Sequence, residues 1–320
     1  MKILFITSTR IGDAVLSSGL LQHLLKVYPA AKFTVAAGPA AAEIFAAMPR
    51  LERLLKVRKR RYGWHWPILW SDVVMTKWDI VVDLRNSFLS YLVLTKERHI
   101  LKPRHSNDHR VVQLGHLLRL SPPPQPELWV SADDKNTAAA IIPADTSVLA
   151  IAPTANWSGK QWPAEYFIDL IKRLTKPGSL FPQAKVAVFG AANERKQALP
   201  ILQAIPSEQR IDLIGKASLS LVYALLGRCK FFIGNDSGVM HLAAAAHIPT
   251  LGLFGPSRIE LYHPWGKQTA AIRTPESFES FISAPDYDYR TTHSLMGSLT
   301  VEKVERAARD LFQQSYGMTA

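Results

Sequence analysis

Three short segments of the 320-residue chain bring together residue types that can bind an anion and accept a proton. The first is Ser8-Thr9-Arg10-Ile11-Gly12-Asp13. Gly12 permits a tight backbone turn, and Asp13 offers a carboxylate able to take the proton of a bound hydroxyl. A helix N-cap is the other assignment for Asp13, and this loop alone does not choose between them. The second segment runs from Pro153-Thr154 through Lys160-Gln161-Trp162-Pro163. Pro163 suits the first turn of a helix, so the Lys160 ammonium belongs near a helix N-terminus, a place suited to phosphate; a solvated loop lysine is the alternative. The third is Phe231-Phe-Ile-Gly-Asn-Asp-Ser-Gly-Val-Met-His241-Leu-Ala-Ala-Ala. An apolar strand there runs into a small-residue turn and an Ala-rich helix, so the N–H groups of Ser237, Gly238 and Val239 form an anion cradle at the positive end of the helix dipole. Asp236 is expected to cap that helix. His241, one turn on, is expected to reach a phosphate or sugar hydroxyl, with a core histidine as the alternative. Glu194 follows an apolar run at 185–189 and Gly190, where a carboxylate accepts ribose hydroxyls, or else it is a surface glutamate.

Several chemistries are argued against by the same residues. Thr154 replaces the first glycine of a Walker loop and Gln161 stands where Ser or Thr would ligate magnesium, so NTP hydrolysis of that kind is not expected. There is no G-x-G-x-x-G fingerprint, and Gly-Asn-Asp-Ser-Gly at 234–238 misses the G-x-S-x-G elbow by one position, which weakens dehydrogenase and hydrolase readings. Asp286-Tyr287-Asp288 could hold a divalent cation, but such triplets are frequent by chance, and neither a metal nor a cofactor is expected.

Alternating strands and helices must position these loops. In the first half, Lys2 to Thr7, Lys32 to Ala37 and Trp78 to Leu84 read as strands, with helices at 13–28 and 39–48. Pro122-Pro-Pro124 and Pro126 open a linker that ends near Asp145. The alternation then restarts, with strands at 147–152, 185–189, 210–213, 231–233 and 250–254 and helices at 164–174, 194–205, 219–226, 237–246 and 301–312. The expected fold is α/β: two doubly wound, Rossmann-like domains, 1–140 and 141–320, facing a central cleft at the carboxyl edges of their sheets. The last helix, about 301–314, is a candidate to pack back on the first domain.

Composition fits that architecture and narrows the setting. Apolar residues make up 48% and charged residues 20%, with 17 Gly and 21 Pro, which is globular. One cysteine, Cys229, excludes internal disulfides and multi-cysteine metal sites and fits a reducing compartment. The apolar N-terminal run is too short for a signal peptide, and no transmembrane helix is expected. The formal net charge is +12, and residues 1–140 hold 20 Lys and Arg against 11 Asp and Glu. Much of that surplus sits in Lys56-Val-Arg58-Lys59-Arg60-Arg61-Tyr62-Gly-Trp64-His-Trp66-Pro, followed by Trp70. These cations can pair with phosphate or carboxylate, and the aromatic rings prefer a headgroup interface, so the segment is expected to dock on an anionic amphiphilic acceptor at a membrane surface. A solvated basic loop whose tryptophans pack inward is the alternative; nucleic acid is not an expected partner, since no recognised binding fold accompanies the segment.

R-I-G-D-A-V-L-S, P-T-A-N-W-S-G-K-Q-W-P, and G-N-D-S-G-V-M-H-L-A-A-A with its sequel F-G-P-S, taken in this order, resemble the bacterial heptosyltransferases of glycosyltransferase family nine. The resemblance implies two domains of the GT-B type and an inverting, metal-independent enzyme. It would transfer heptose from ADP-heptose to the lipopolysaccharide core or a lipid A-linked acceptor, and would be a cytoplasmic protein peripheral to the inner face of the cytoplasmic membrane. By that resemblance Asp13 is the general base, Lys160 holds the pyrophosphate, Glu194 the ribose, and Asp236, Ser237, Gly238 and His241 line the donor site. Thr154, where many relatives have glycine, adds a hydroxyl that can reach the phosphates. Two other classes share some of these features: a non-catalytic nucleotide-sugar or nucleic-acid binder, and a GT-B-type nucleotide-sugar epimerase.

Overall fold

The computed structural model describes residues 1–102, 106–285, 287–288 and 293–317. The chain divides into two compact units, Met1–Ser131 and Ala132–Ala320. The first contains β1 (Lys2–Ile6), α1 (Ile11–Val27), β2 (Lys32–Ala37), α2 (Pro39–Ala42), β3 (Leu51–Lys56), α3 (His65–Val73), β4 (Trp78–Asp83), β5 (Thr95–Ile100) and α4 (Arg110–Leu117). Its sheet is parallel throughout, in the order β3-β2-β1-β4-β5. β1, β2 and β4 are near-continuous apolar runs because helices cover both faces of a parallel sheet. Leu4, Ile6, Val81, Leu69, Val73 and Leu89 share one buried cluster, which ties α3 and the turn after β4 to the sheet.

The second unit contains α5 (Ala132–Ile141), β6 (Val148–Ala152), α6 (Ala164–Thr175), β7 (Lys185–Val188), α7 (Arg195–Ala204), β8 (Arg210–Asp212), α8 (Leu219–Leu226), β9 (Phe231–Asn235), α9 (Gly238–Ala245), β10 (Thr250–Phe254), α10 (Ile259–Tyr262), β11 (Thr269–Arg273), α11 (Phe278–Ile282) and α12 (Val301–Tyr316). Its six parallel strands run β11-β10-β9-β6-β7-β8. Trp162, 1% exposed, sits at the centre of the core, its ring edge-on to Phe167 and its Nε1–H donating to Leu299 O at 2.7 Å. Helix α12 buries Val301, Val304, Ala308 and Leu311 in that same core, starts at a Thr300 hydroxyl that accepts from Lys303 N, and stops at Gly317 with φ 63.

Strand order reverses direction between β1 and β4 in the first unit and between β6 and β9 in the second. At such a switch point the two following loops leave to opposite faces and open a crevice at the carboxyl edge of the sheet. The loops that carry Asp13, Lys160, Glu194 and Asp236 follow β1, β6, β7 and β9 and emerge at these edges.

Several expectations from sequence need correction. The division falls at Ser131/Ala132 rather than at 140/141, because part of the expected linker is helix α5, which packs on α8. The helix expected at 39–48 is one turn of α-helix, α2, followed by a 3-10 turn at Glu43–Phe45. The basic aromatic segment is not one loop: Lys56 closes strand β3, and His65–Val73 form α3.

Candidate active site

In the second unit, Asn235 ends β9 with its side chain fully buried, and its amide fastens the loop after β6. Its Nδ2 donates to Pro153 O at 2.8 Å and its Oδ1 accepts from Trp162 N at 3.1 Å. Gln161 closes the loop from the other side, donating to Ala155 O at 2.7 Å and to Gln197 Oε1 at 2.8 Å. So held, the loop brings the Lys160 ammonium to 2.6 Å from Asp236 Oδ2, with the Asp236 side chain 9% and that of Lys160 25% exposed. Cation and carboxylate come from opposite sides of the β6/β9 switch point.

That contact overturns the expected cap. Ser237 is the N-cap residue of α9, and no side chain caps the helix, because the Asp236 carboxylate is turned to Lys160. The first-turn N–H groups of α9 therefore keep the donor capacity that a cap would have used. The Ser237 hydroxyl is buried with no hydrogen-bond partner among the described residues, and so is that of Ser257 in the neighbouring loop after β10. Two orphaned hydroxyls beside an uncapped helix end leave donors for a polar ligand. Gly238 is the first residue of α9, and His241, 5% exposed, stands one turn in from the same end.

Glu194 lies after β7 in a 3-10 turn at Ala192–Glu194. Its Oε2 accepts from Thr154 Oγ1 at 2.7 Å and from Ala191 N at 3.0 Å, which fixes the carboxylate and leaves Oε1 for other donors. The Thr154 hydroxyl thus serves Glu194 rather than pointing freely to a phosphate. Gly190 is required here by close approach: a Cβ at this position would lie 2.8 Å from Thr154 Oγ1 and 2.7 Å from Ile214 Cδ1.

In the first unit, Asp13 is the third residue of α1 and half-buried. The N-cap position belongs to Arg10, and no side chain caps α1, so Asp13 is not the cap. Its Oδ2 accepts from Ser8 Oγ at 3.4 Å, a weak restraint that leaves the carboxylate available. Gly12 does not make the turn expected of it. It is the second residue of α1, and the chain bends at Thr9 and Arg10 instead.

Lys56, Arg58, Lys59, Arg60 and Arg61 are all exposed, as are Tyr62, Trp64 and Trp70. Trp66 departs from the expected docking face: it packs against the buried cluster under α3, and the Arg85 guanidinium lies over its ring at 5.8 Å. Burial, with the nearby Arg85 and Lys59 charges, lowers the pKa of His65 below its ordinary value.

Asp286 lies outside the described residues, and among the described residues no cluster of His, Cys, Asp and Glu could hold a metal ion. No helix among them is long and apolar enough to cross a membrane. Asn235 and Ser257 are the site residues that sequence reasoning had not assigned a role. The signal for Asn235 was a polar residue closing an otherwise apolar strand.

The family model for glycosyltransferase family 9 (heptosyltransferase) matches residues 73–280. The chain is 27% identical to lipopolysaccharide heptosyltransferase 2 of Salmonella typhimurium, covering 85% of this chain and 88% of that protein, and 25% identical to lipooligosaccharide heptosyltransferase 2 of Campylobacter jejuni, covering 85% and 87%. Among solved structures it resembles a family 9 glycosyl transferase from Veillonella parvula (TM-score 0.77, 19% identity, 98% and 97% covered). It also resembles ADP-heptose lps heptosyltransferase II of E. coli (TM-score 0.75, 22% identity, 99% and 100% covered). The two-unit α/β fold is shared with these GT-B-type structures.

Proposed function

The chain belongs to glycosyltransferase family 9, and from that premise we propose that it transfers heptose from ADP-heptose to the lipopolysaccharide core, inverting the anomeric carbon and using no metal. The observation that carries the reading is the Lys160–Asp236 contact at the uncapped end of α9, with Glu194 held two strands away in the sheet order.

In this reading Lys160 and the first-turn N–H groups of α9 receive the diphosphate, with the Ser237 hydroxyl adding a donor, and Glu194 Oε1 accepts from the ribose. Thr154 acts through Glu194 as a positioning residue. As the bond to the anomeric carbon breaks, negative charge grows on the departing diphosphate, and an ammonium plus oriented N–H groups stabilise it. Asp13 takes the proton of the acceptor hydroxyl as that oxygen attacks, and attack from the face opposite the leaving group inverts the centre. The reading also makes the protein a cytoplasmic enzyme that works at the inner face of the cytoplasmic membrane, docked through the exposed cations 56–61 with Tyr62, Trp64 and Trp70.

The test is a thermal-shift panel of nucleotide sugars followed by transfer to a heptose-free core oligosaccharide. ADP-heptose is expected to raise the Tm more than UDP- or GDP-sugars. Product formed only when the oligosaccharide is present supports transfer, whereas turnover of the donor to an epimer without acceptor would overturn it.

A further inference from the structure

After β11 and α11 the chain returns to the loop that carries Lys160 in a short irregular segment, residues 294–299, none of which has a role in the donor site described above. This segment brackets Lys160. The Ser294 hydroxyl donates to Gln161 O at 2.5 Å, and Leu295 N donates to Gly159 O at 3.1 Å, so two consecutive residues hold the carbonyls on either side of the lysine. Three peptide groups join Gly159 to Trp162, and each is fixed. The first has its oxygen on Leu295 N and its N–H on Trp157 O at 3.1 Å; the second donates from Gln161 N to Ser158 O at 3.0 Å; the third has its oxygen on Ser294 Oγ and its N–H on Asn235 Oδ1. With all three planes held, the backbone from which the Lys160 side chain projects has little freedom to turn.

A segment can restrain a loop only if it is itself anchored. Met296 and Leu299 are fully buried in the core of the second unit, Ser294 Oγ accepts from Met296 N at 3.0 Å, and Leu299 O accepts from Trp162 Nε1. Met296 also reaches the loop after β10, where a Cβ on Gly255 would lie 2.7 Å from its Cγ. One strap therefore joins the loop that carries Lys160 to the loop that carries Ser257. Leu295 contributes through its backbone, so Ser294 is the side chain that exerts the restraint.

Resting on the transferase reading above, we propose that Ser294 is a positioning residue for capture of the donor diphosphate. By holding Gln161 O it keeps the Lys160 ammonium beside the first turn of α9 before the donor arrives. A cation already ordered loses less conformational freedom on binding than one carried by a loose loop, and that difference appears as affinity. Ser294 has no assigned contact with the sugar or the phosphates and acts through Lys160.

The experiment uses the full chain and compares wild type with Ser294→Ala, Ser294→Thr, Lys160→Ala and the Ser294→Ala/Lys160→Ala double variant. Calorimetry with ADP and with adenosine is paired with kinetics on ADP-heptose and a heptose-free core oligosaccharide. Ser294→Ala is expected to weaken ADP binding about fivefold, the size of one lost hydrogen bond, with adenosine within twofold; donor KM rises to match while acceptor KM stays within twofold. Ser294→Thr keeps the hydroxyl and is expected to bind ADP within twofold of wild type. Because the effect passes through Lys160, the double variant is expected to bind ADP no worse than Lys160→Ala alone. Losses that add, equal losses for ADP and adenosine, no recovery in Ser294→Thr, or ADP binding within twofold of wild type in Ser294→Ala would each overturn the proposal. If Ser294→Ala lowers the Tm markedly, Ser294→Cys, close in size and a weaker donor, is measured in its place against the same limits. If wild type binds ADP no more tightly than adenosine, the diphosphate assignment fails and the positioning role falls with it. The full binding pattern without transfer of heptose would instead defeat the transferase reading and leave Ser294 in its role.

Discussion

Asp13 and Lys160 carry the sharpest residue-scale predictions, because each has one assigned task. Asp13→Asn keeps the shape of the side chain but cannot accept a proton, so turnover is expected to fall by about 10²–10⁴-fold with ADP affinity within twofold. Steady-state kinetics and calorimetry check this, and a variant with half the wild-type turnover would remove Asp13 from catalysis. Lys160→Ala is expected to weaken ADP binding at least tenfold and adenosine binding hardly at all. It also strands the Asp236 carboxylate, 9% exposed, at a cost on the order of 1–3 kcal/mol that denaturant unfolding would register. Equal losses for the two ligands would make the lysine structural. At this scale the sequence carried the residue types and their order, but not their partners. Asp236 read as a helix cap because a carboxylate before a helix usually is one, and only the path of the 153–163 loop turns it toward Lys160. Likewise Gly12 read as a turn maker, although the helix begins one residue before it.

The elements that were legible are those buried on both faces. β1, β2, β4, β6, β7, β9 and β10 announce themselves as apolar runs, and β8 is short but bounded by turn residues. The strands that were missed, β3, β5 and β11, are all sheet edges. With one neighbour and a wetter face, an edge strand such as Thr-Lys-Glu-Arg-His-Ile at β5 has no apolar signature. Helix α5 hid for a related reason: only Ala138 of it is buried, so no stripe was visible. Two predictions belong here. Asp83→Ala deprives four donors, the N–H groups of Arg85 and Ser87 and the hydroxyls of Ser87 and Ser90, of their acceptor inside the turn after β4. It is expected to cost at least about 3 kcal/mol, read from urea unfolding, and a cost below about 1 kcal/mol would mean the turn holds itself. Asp212 ends β8. Burial opposes its ionisation most strongly, yet Arg195, Lys216 and the Ile214 N–H outweigh burial and hold the carboxyl down to about 2. Because that lies below the unfolded value of about 3.9, the stabilisation is complete above pH 4 and is lost as pH falls from there toward 2. Asp212→Asn should flatten that acid limb of the stability profile, and an unchanged limb would refute it.

For the whole molecule, chemical access and charge distribution are the relevant quantities. The sole cysteine, Cys229, is buried, and burial pushes its thiol up to about 12. The native protein is therefore expected to ignore a disulfide reagent at pH 8, with one thiol titrating after unfolding; rapid native reaction would contradict this. Flotation with anionic vesicles should carry the wild type and leave behind a variant with Gln at 56, 58, 59, 60 and 61, while equal partitioning would discard the membrane role of that segment.

The pairing of Lys160 with Asp236 also bears on how fast each substrate arrives. A lysine already neutralised by its neighbour projects little field, and Glu194 adds a negative charge nearby, so these side chains give a dianion little long-range attraction of their own. Donor association should therefore run at an unsteered rate, about 10⁵–10⁷ M⁻¹s⁻¹ or slower, and change little between low and high ionic strength. The first unit, with its unpaired cations, is the opposite case. An anionic acceptor should be drawn in by the field, and its association rate should drop steeply as salt shortens the Debye length from about 30 Å at 0.01 M to about 8 Å at 0.15 M. Stopped-flow measurements across that range would then find one substrate whose capture responds to salt and one whose capture does not.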